Sequence, residues 1–130
     1  IIDRIDRFEK GLRIIDYKTG RVDHKELNFK YFDNYEEIKN RPKAFQLLFY
    51  LFLASNCNEM KNEKIISANI SLKEIDDGLK FLKHDQGIFE TNNNFQKDFL
   101  KLIETIIGEI RISNYKSCQR ESCIYCKNLF

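Results

Sequence analysis

Two aspartates and a lysine near the start of the sequence have the types and spacing for metal-assisted chemistry. Asp16 and Lys18 lie two residues apart in LRIIDYKTG (residues 12–20), and Asp3 lies in the preceding stretch IIDRIDRF. Strand residues alternate between faces, so Asp16 and Lys18 would share one face of a strand. Carboxylate oxygens suit Mg²⁺ or Mn²⁺, and a nearby lysine could orient a water or hold a phosphate oxygen. These groups could support metal-assisted phosphodiester cleavage.

The register of the predicted hairpin decides whether Asp3 joins the other two residues. Both stretches are rich in β-branched and aromatic residues, and the turn signal EKG (9–11) separates them, so we predict a β-hairpin. A two-residue turn would pair Asp3 with Lys18, and a four-residue connection would pair it with Asp16. Either register puts all three on one face, whereas a three-residue connection would place Asp3 opposite Tyr17. On the Asp-x-Lys pattern alone, an exposed ion pair on a solvated hairpin is favoured, because short motifs occur by chance.

A buried helix is predicted in the middle of the chain. Residues 20–37 before it are polar and mixed in character, which indicates a loop with a short strand near residues 27–31. Asn40 could cap the helix, and Pro42 suits its first turn. The segment KAFQLLFYLFLAS that follows is apolar nearly all round, so we expect this helix to be buried.

Further strands and an amphipathic helix are predicted in the second half of the chain. The segment IISANIS (65–71) has the pattern of a strand, and GLKFL and GIFET, separated by KHDQ, predict a second hairpin. Apolar residues recur at helical spacing over residues 93–112, which predicts an amphipathic helix. We therefore predict an α/β fold in which a mixed β-sheet is flanked by helices.

The cysteines indicate a metal site near the carboxyl end. Cys118, Cys123 and Cys126 crowd together there, while Cys57 follows the predicted buried helix. In an intracellular chain such crowding favours a metal over a disulfide. Cys57 is expected to be a lone thiol. A small zinc- or cluster-stabilised domain with purely structural cysteines is an alternative that the sequence leaves open.

Composition is that of an ordinary single globular domain. Hydrophobic residues make up 42% and charged residues 32%, and the net charge of +2 does not by itself indicate a nucleic-acid-binding protein. A basic groove could still exist beside an acidic metal site, because opposite charges cancel in the sum. The longest apolar run, residues 45–55, is too short to cross a bilayer, and no signal peptide is visible. We expect a cytoplasmic protein without a membrane partner.

The segments IDRID and IIDYKTG, together with QLLFY in the predicted helix, resemble the RecB-like branch of the PD-(D/E)XK nuclease superfamily. The likeness is greatest to AddB-type nuclease domains and to CRISPR-associated RecB-like exonucleases, and it extends over residues 1–130. It implies a restriction-endonuclease-like fold and a Mg²⁺- or Mn²⁺-dependent DNA exonuclease. Such a domain would serve a helicase–nuclease in DNA repair, with DNA and a helicase region or subunit as partners. The alternative is a non-catalytic module that binds DNA or a partner through a degenerate nuclease fold.

The resemblance also implies roles for three neighbouring strand residues and for Asp3. Asp3 and Asp16 would bind the metal, and the backbone carbonyl of Tyr17 would be a further ligand. Lys18 would be the catalytic lysine. The intact set of two aspartates and a lysine argues against the degenerate, non-catalytic alternative.

Two residues of the predicted helix match the Gln-x-x-x-Tyr motif of the family. Gln46 and Tyr50 would therefore bind substrate, and their spacing places them on one helix face. Polar side chains in a nearly all-apolar helix need polar partners. We expect both to point toward the aspartates and the lysine.

The chain departs from the family pattern in two places. The family usually has a helix with a histidine or an acid before the first strand, so residues 1–130 are expected to be a fragment lacking it. This leaves open whether the fragment cuts DNA by itself. The family also often binds a 4Fe–4S cluster through one upstream cysteine and three near the carboxyl end. Cys118, Cys123 and Cys126 would be those three, holding iron–sulfur in the full-length protein, or zinc.

Overall fold

The computed structural model describes residues 2–85 and 87–112, which form two small β-sheets flanked by helices. The strands are β1 (Arg4–Phe8), β2 (Gly11–Lys18), β3 (Asn28–Phe29), β4 (Ile65–Ser71), β5 (Leu79–Phe81), β6 (Lys83–His84) and β7 (Gly87–Ile88). The helices are α1 (Tyr35–Ile38), α2 (Pro42–Asn56) and α3 (Phe95–Ile112), with 3₁₀ turns at His24–Leu27 and Ile75–Asp77. The predicted α/β fold with mixed sheets and flanking helices is confirmed. Within the described residues, no helix has the length and hydropathy needed to cross a membrane.

The larger sheet has the strand order β1-β2-β4-β5. Strand β1 pairs with β2 in the antiparallel sense, β2 with β4 in the parallel sense, and β4 with β5 in the antiparallel sense. Parallel neighbours need a long crossover connection, and α2 lies within the crossover between β2 and β4. The predicted strand at 65–71 is confirmed residue for residue.

The first hairpin turns at Glu9-Lys10, because Phe8 pairs with Gly11. Arg4 pairs with Ile15, so one step further the same register sets Asp3 opposite Asp16. This is the second of the two registers that place Asp3, Asp16 and Lys18 on one face. The turn itself is shorter than predicted, since the strands remain paired up to residues 8 and 11.

Gly11 is required where β2 begins. Its φ is 152°, and a Cβ at this position would lie 2.1 Å from the carbonyl oxygen of Lys64. The same oxygen accepts a hydrogen bond of 2.9 Å from the backbone N–H of Leu12. Only glycine allows the two backbones to approach so closely, and this contact starts the pairing of β2 with β4.

The core lies between the larger sheet and the faces of α2 and α3. Leu12 and Ile14 of β2 join apolar residues of α2 and the aromatic side chains of Phe95 and Phe99. The amphipathic helix predicted over 93–112 is confirmed as α3, whose buried residues all lie in its first half. The prediction that α2 is buried is only partly correct, because Phe49 and Leu53 are 38% and 47% exposed.

The predicted hairpin of GLKFL with GIFET is only partly correct. The two segments do form a hairpin where they meet, since the backbone N–H of Phe89 donates to the carbonyl oxygen of Leu82, but most of GLKFL pairs elsewhere. Strand β5 pairs instead with the open edge of β4, whose backbone groups would otherwise lack partners. The hairpin that does form joins β6 to β7, and β6 also pairs with β3 to make the smaller sheet. Residues 20–37 contain more structure than the predicted loop and short strand, namely a 3₁₀ turn, β3 and the beginning of α1.

The predicted cap of α2 is also wrong. Arg41 occupies the N-cap position and makes no side-chain capping hydrogen bond, although Pro42 begins the helix as expected. The side chain of Asn40 instead donates to the carbonyl oxygen of Glu36. The short helix α1 precedes α2 closely, so Asn40 falls in the turn that ends one helix rather than at the start of the next.

Candidate active site

The predicted site residues of β2 and α2 meet at the carboxyl end of the parallel strands. A helix that connects two parallel strands runs back along the sheet, so its first turns lie beside the end of the strand before it. Gln46 lies in the first half of α2 and therefore contacts Asp16 and Lys18 at the carboxyl end of β2. In open α/β sheets this end of the strands is the usual location of ligands.

Asp16 is only 4% exposed, and among the residues that the structure describes its carboxylate has three side-chain partners. One oxygen lies 2.8 Å from the Nζ of Lys18 and accepts a hydrogen bond of 2.9 Å from Asn69. The other oxygen accepts a longer bond of 3.4 Å from Gln46. A buried carboxylate is expensive unless it is paired and hydrogen-bonded. These partners therefore allow a charged group to remain at this depth.

Gln46 connects the strand to Tyr50 on its own helix. Its Oε1 accepts a 2.5 Å hydrogen bond from Lys18, and its Nε2 donates a 2.7 Å bond to the hydroxyl of Tyr50. This arrangement orients the amide unambiguously, because an ammonium can only donate. Tyr50 is 7% exposed, so the chain of polar contacts extends from Asp16 into the side of the core.

Asp3 lies at the edge of the same site, one residue before β1. Its Oδ2 accepts a 2.8 Å hydrogen bond from the backbone N–H of Tyr17. The carboxylate thus takes the place of the backbone carbonyl that would accept this bond if the pairing of β1 with β2 continued. Successive carbonyls of a strand point to opposite neighbours. The carbonyl of Lys18 is bonded to Leu72 on the β4 side, so the carbonyl of Tyr17 is directed toward the β1 side, where Asp3 lies.

Asn69 belongs to this cluster and was missed by the sequence analysis. It is fully buried on β4, directly opposite Asp16, and its amide donates to both the carboxylate and the backbone carbonyl of Asp16. A signal for it was available in IISANIS, where Ser67, Asn69 and Ser71 alternate with apolar residues. Polar side chains on the inner face of a strand need partners, and Asp16 is one.

The oxygen donors fit a hard divalent cation. Among residues 2–85 and 87–112, no three His, Cys, Asp or Glu side chains are grouped to hold a metal ion. Mg²⁺ does not need such a group, because it is commonly bound through one or two carboxylates and keeps several waters. Asp3, Asp16 and the carbonyl of Tyr17 offer that kind of ligand set. The roles of these residues as ligands remain predictions.

The predicted cysteine cluster falls on residues that the structure does not describe. Cys118, Cys123 and Cys126 are outside the described residues. Cys57 is half-buried and forms the C-cap of α2. It therefore lies at the far end of the helix from the active-site cluster, three turns beyond Gln46.

Comparison with known families agrees with this geometry. The family model of the PD-(D/E)XK nuclease superfamily matches residues 1–128, nearly the whole chain. No match was found among curated proteins or among solved structures. The matched region contains the two aspartates, the lysine and the Gln46–Tyr50 pair. On this basis the chain belongs to the PD-(D/E)XK nuclease superfamily.

Proposed function

We propose that this chain is a Mg²⁺- or Mn²⁺-dependent deoxyribonuclease domain that hydrolyses phosphodiester bonds. Members of the superfamily are generally nucleases, and they typically use divalent metals. The observation that best supports catalysis is the position of Lys18, whose ammonium lies between the Asp16 carboxylate and Gln46. A lysine beside a metal-binding carboxylate is well placed to act on a phosphate or on the attacking water.

Asp3 and Asp16, with the backbone carbonyl of Tyr17, would hold the metal ion. When bound, the ion supplies charge stabilisation at the phosphate and lowers the pKa of a coordinated water. Asp16 is oriented by the hydrogen bond from Asn69, while Asp3 is anchored to the backbone of Tyr17. The two carboxylates thus approach the site from adjacent strands.

Lys18 would stabilise the negative charge that develops on the phosphate, or orient the nucleophilic water. Its side chain is only partly buried, and two oxygen acceptors already hold its Nζ in place. Fixed donors of this kind are most useful where charge develops in the transition state. Gln46 and Tyr50 would position the substrate, and they also fix Lys18 through the oxygen of the Gln46 amide.

The finer assignment rests on the sequence resemblance. We infer an exonuclease domain of the RecB or AddB type, spanning residues 1–130 and acting in DNA repair beside a helicase region or subunit. Cys118, Cys123 and Cys126 would contribute to a 4Fe–4S cluster of the parent protein. Anaerobically purified parent protein should then contain iron and absorb in the visible range. A colourless, iron-free preparation would return the cysteines to a zinc site or to free thiols.

The function is tested by incubating the chain with end-labelled linear DNA, closed circular DNA and RNA, each with Mg²⁺ or Mn²⁺. We expect linear DNA to be shortened from its ends, circles to resist, and Asp3→Asn and Asp16→Asn to abolish cutting. Asp33→Asn is the matched control, because Asp33 is exposed in the turn before α1. Metal-dependent DNA binding without any cleavage would favour the non-catalytic binding module instead. Cleavage that survives Asp16→Asn would place the catalytic residues elsewhere.

A further inference from the structure

We propose that Asn69 is a positioning residue for the metal site, acting through Asp16. This inference rests on the proposed role of Asp16 as a metal ligand. It assigns a role to a residue of β4 that lies outside the Asp-x-Lys and Gln-x-x-x-Tyr motifs. Asn69 is not expected to touch the substrate or the metal, because its side chain is fully buried and its amide nitrogen donates to Asp16.

Asn69 hydrogen-bonds both the side chain and the backbone of Asp16. Its Nδ2 donates 2.9 Å to the Oδ2 of Asp16 and 3.3 Å to the backbone carbonyl of Asp16. The two residues are also direct partners in the parallel pairing of β2 with β4. The amide therefore limits rotation of the carboxylate about its side-chain bonds. Within the described residues, the opposite oxygen, Oδ1, is left bonded only to the more distant Gln46.

The burial of Asn69 favours this role over simple space filling. Its Oδ1 is buried without a hydrogen-bond partner within the described part of the chain. An unpaired buried acceptor destabilises the fold relative to an apolar residue of the same shape. An amide is thus a poor choice for packing alone, and its value lies in the two bonds that it donates to Asp16.

Outer residues that orient metal ligands typically contribute 10- to 100-fold to metal affinity. The test measures Mn²⁺ affinity of the 130-residue chain from the electron paramagnetic resonance signal of free Mn²⁺, with Asp16→Ala to identify the site. Asn69→Leu keeps the size of the side chain and removes both donated bonds. Asn69→Ser is a milder substitution that keeps one hydrogen-bond donor. It serves as the test variant if Asn69→Leu does not fold.

Ser67→Ala is the matched control, because Ser67 lies on the same face of β4, is equally buried and has a hydroxyl without a partner in the described region. Urea unfolding without metal shows which variants are folded. We expect Asn69→Leu to weaken Mn²⁺ binding by about 10- to 100-fold, Asn69→Ser by less, and Ser67→Ala by no more than about twofold.

A residue with only a structural role would lower the unfolding free energy without changing the affinity of the folded protein. The inference about Asn69 would therefore be overturned if folded Asn69→Leu bound Mn²⁺ with unchanged affinity. If the leucine variant does not fold, unchanged affinity of Asn69→Ser would overturn it in the same way. Either result would leave the proposed metal site standing. Wild-type chain that binds no Mn²⁺, or that binds it equally well as Asp16→Ala, would overturn the proposed metal site and this inference together.

Discussion

Lys18 on β2 donates a 2.5 Å hydrogen bond to Gln46 on α2, a residue 28 positions later in the chain. This contact joins the Asp-x-Lys strand to the Gln-x-x-x-Tyr helix. It also means that neither motif is complete by itself, because the lysine of one is held by the amide of the other.

Replacing Lys18 should lower the cleavage rate strongly and the unfolding free energy only moderately. Lys18→Met deletes the ammonium but keeps most of the side-chain volume, so we expect the cleavage rate to fall by about 10²- to 10³-fold. The unfolding free energy should fall by about 2 kcal/mol, because Asp16 loses its cationic partner but keeps Asn69 and Gln46. Initial rates and urea unfolding measure the two effects.

The control for this substitution is Lys10→Met, which alters an exposed lysine in the turn of the first hairpin. It should leave both the rate and the stability close to those of the wild type. An equal loss of cleavage in the two variants would show that the effect is one of net charge rather than of position.

Removing the hydroxyl of Tyr50 should weaken substrate binding. Tyr50→Phe deletes the 2.7 Å bond to Gln46 while keeping the ring in the core, so the amide is less well fixed beside Lys18. We expect DNA affinity, measured by fluorescence anisotropy in Ca²⁺, to fall several-fold, with a stability loss of about 1 kcal/mol. Tyr31→Phe, at a side chain that is 64% exposed, is the control and should bind normally. Equal affinities of all three proteins would remove Tyr50 from the substrate site.

The cross-strand pair of Asp6 and Arg13 should make stability depend on pH in the acid range. Arg13 donates to both carboxylate oxygens at 2.9 Å, and this bonding holds the pKa of Asp6 below its ordinary value. A depressed folded-state pKa contributes stability above the unfolded-state pKa of about 3.9, and this contribution is lost as pH falls through the folded-state value. Asp6→Asn should therefore cost about 1 kcal/mol at neutral pH and progressively less below about pH 4.

Urea unfolding at a series of pH values measures this dependence, and Asp33→Asn supplies an exposed aspartate for comparison. The stability difference between wild type and Asp33→Asn should stay small at every pH. A constant cost of Asp6→Asn down to strongly acid pH would argue that packing, and not the ion pair, explains its effect.

Adding a methyl group at Gly11 should disturb the start of β2. A Cβ there would lie 2.1 Å from the carbonyl oxygen of Lys64, in a backbone conformation that favours glycine. We expect Gly11→Ala to lower the unfolding free energy by about 1–3 kcal/mol. Gly20→Ala is the control, since a Cβ at Gly20 would meet no atom of the described part of the chain within 4 Å. Thermal unfolding of the two variants should differ clearly, and equal melting temperatures would contradict the close contact.

Local patterns in the sequence were sufficient to find the main elements and the candidate residues. The period of two in LRIIDYKT placed Asp16 and Lys18 on one face, and the helical period placed Gln46 and Tyr50 on one side of α2. Strand β4 and helix α3 were likewise visible from apolar spacing alone. These features depend on residues within a few positions of one another, so the sequence by itself determines them.

Contacts between distant segments were decided only by the tertiary structure. The turn at Glu9-Lys10 selected one of the three hairpin registers that local propensity cannot distinguish. Strand β5 paired with β4, which precedes it, rather than with the segment that follows it, because the open edge of β4 needed hydrogen-bond partners. Asn69 donates to Asp16 from 53 residues further along the chain. A buried carboxylate needs hydrogen-bond donors, and only the tertiary structure decides which residues lie close enough to supply them.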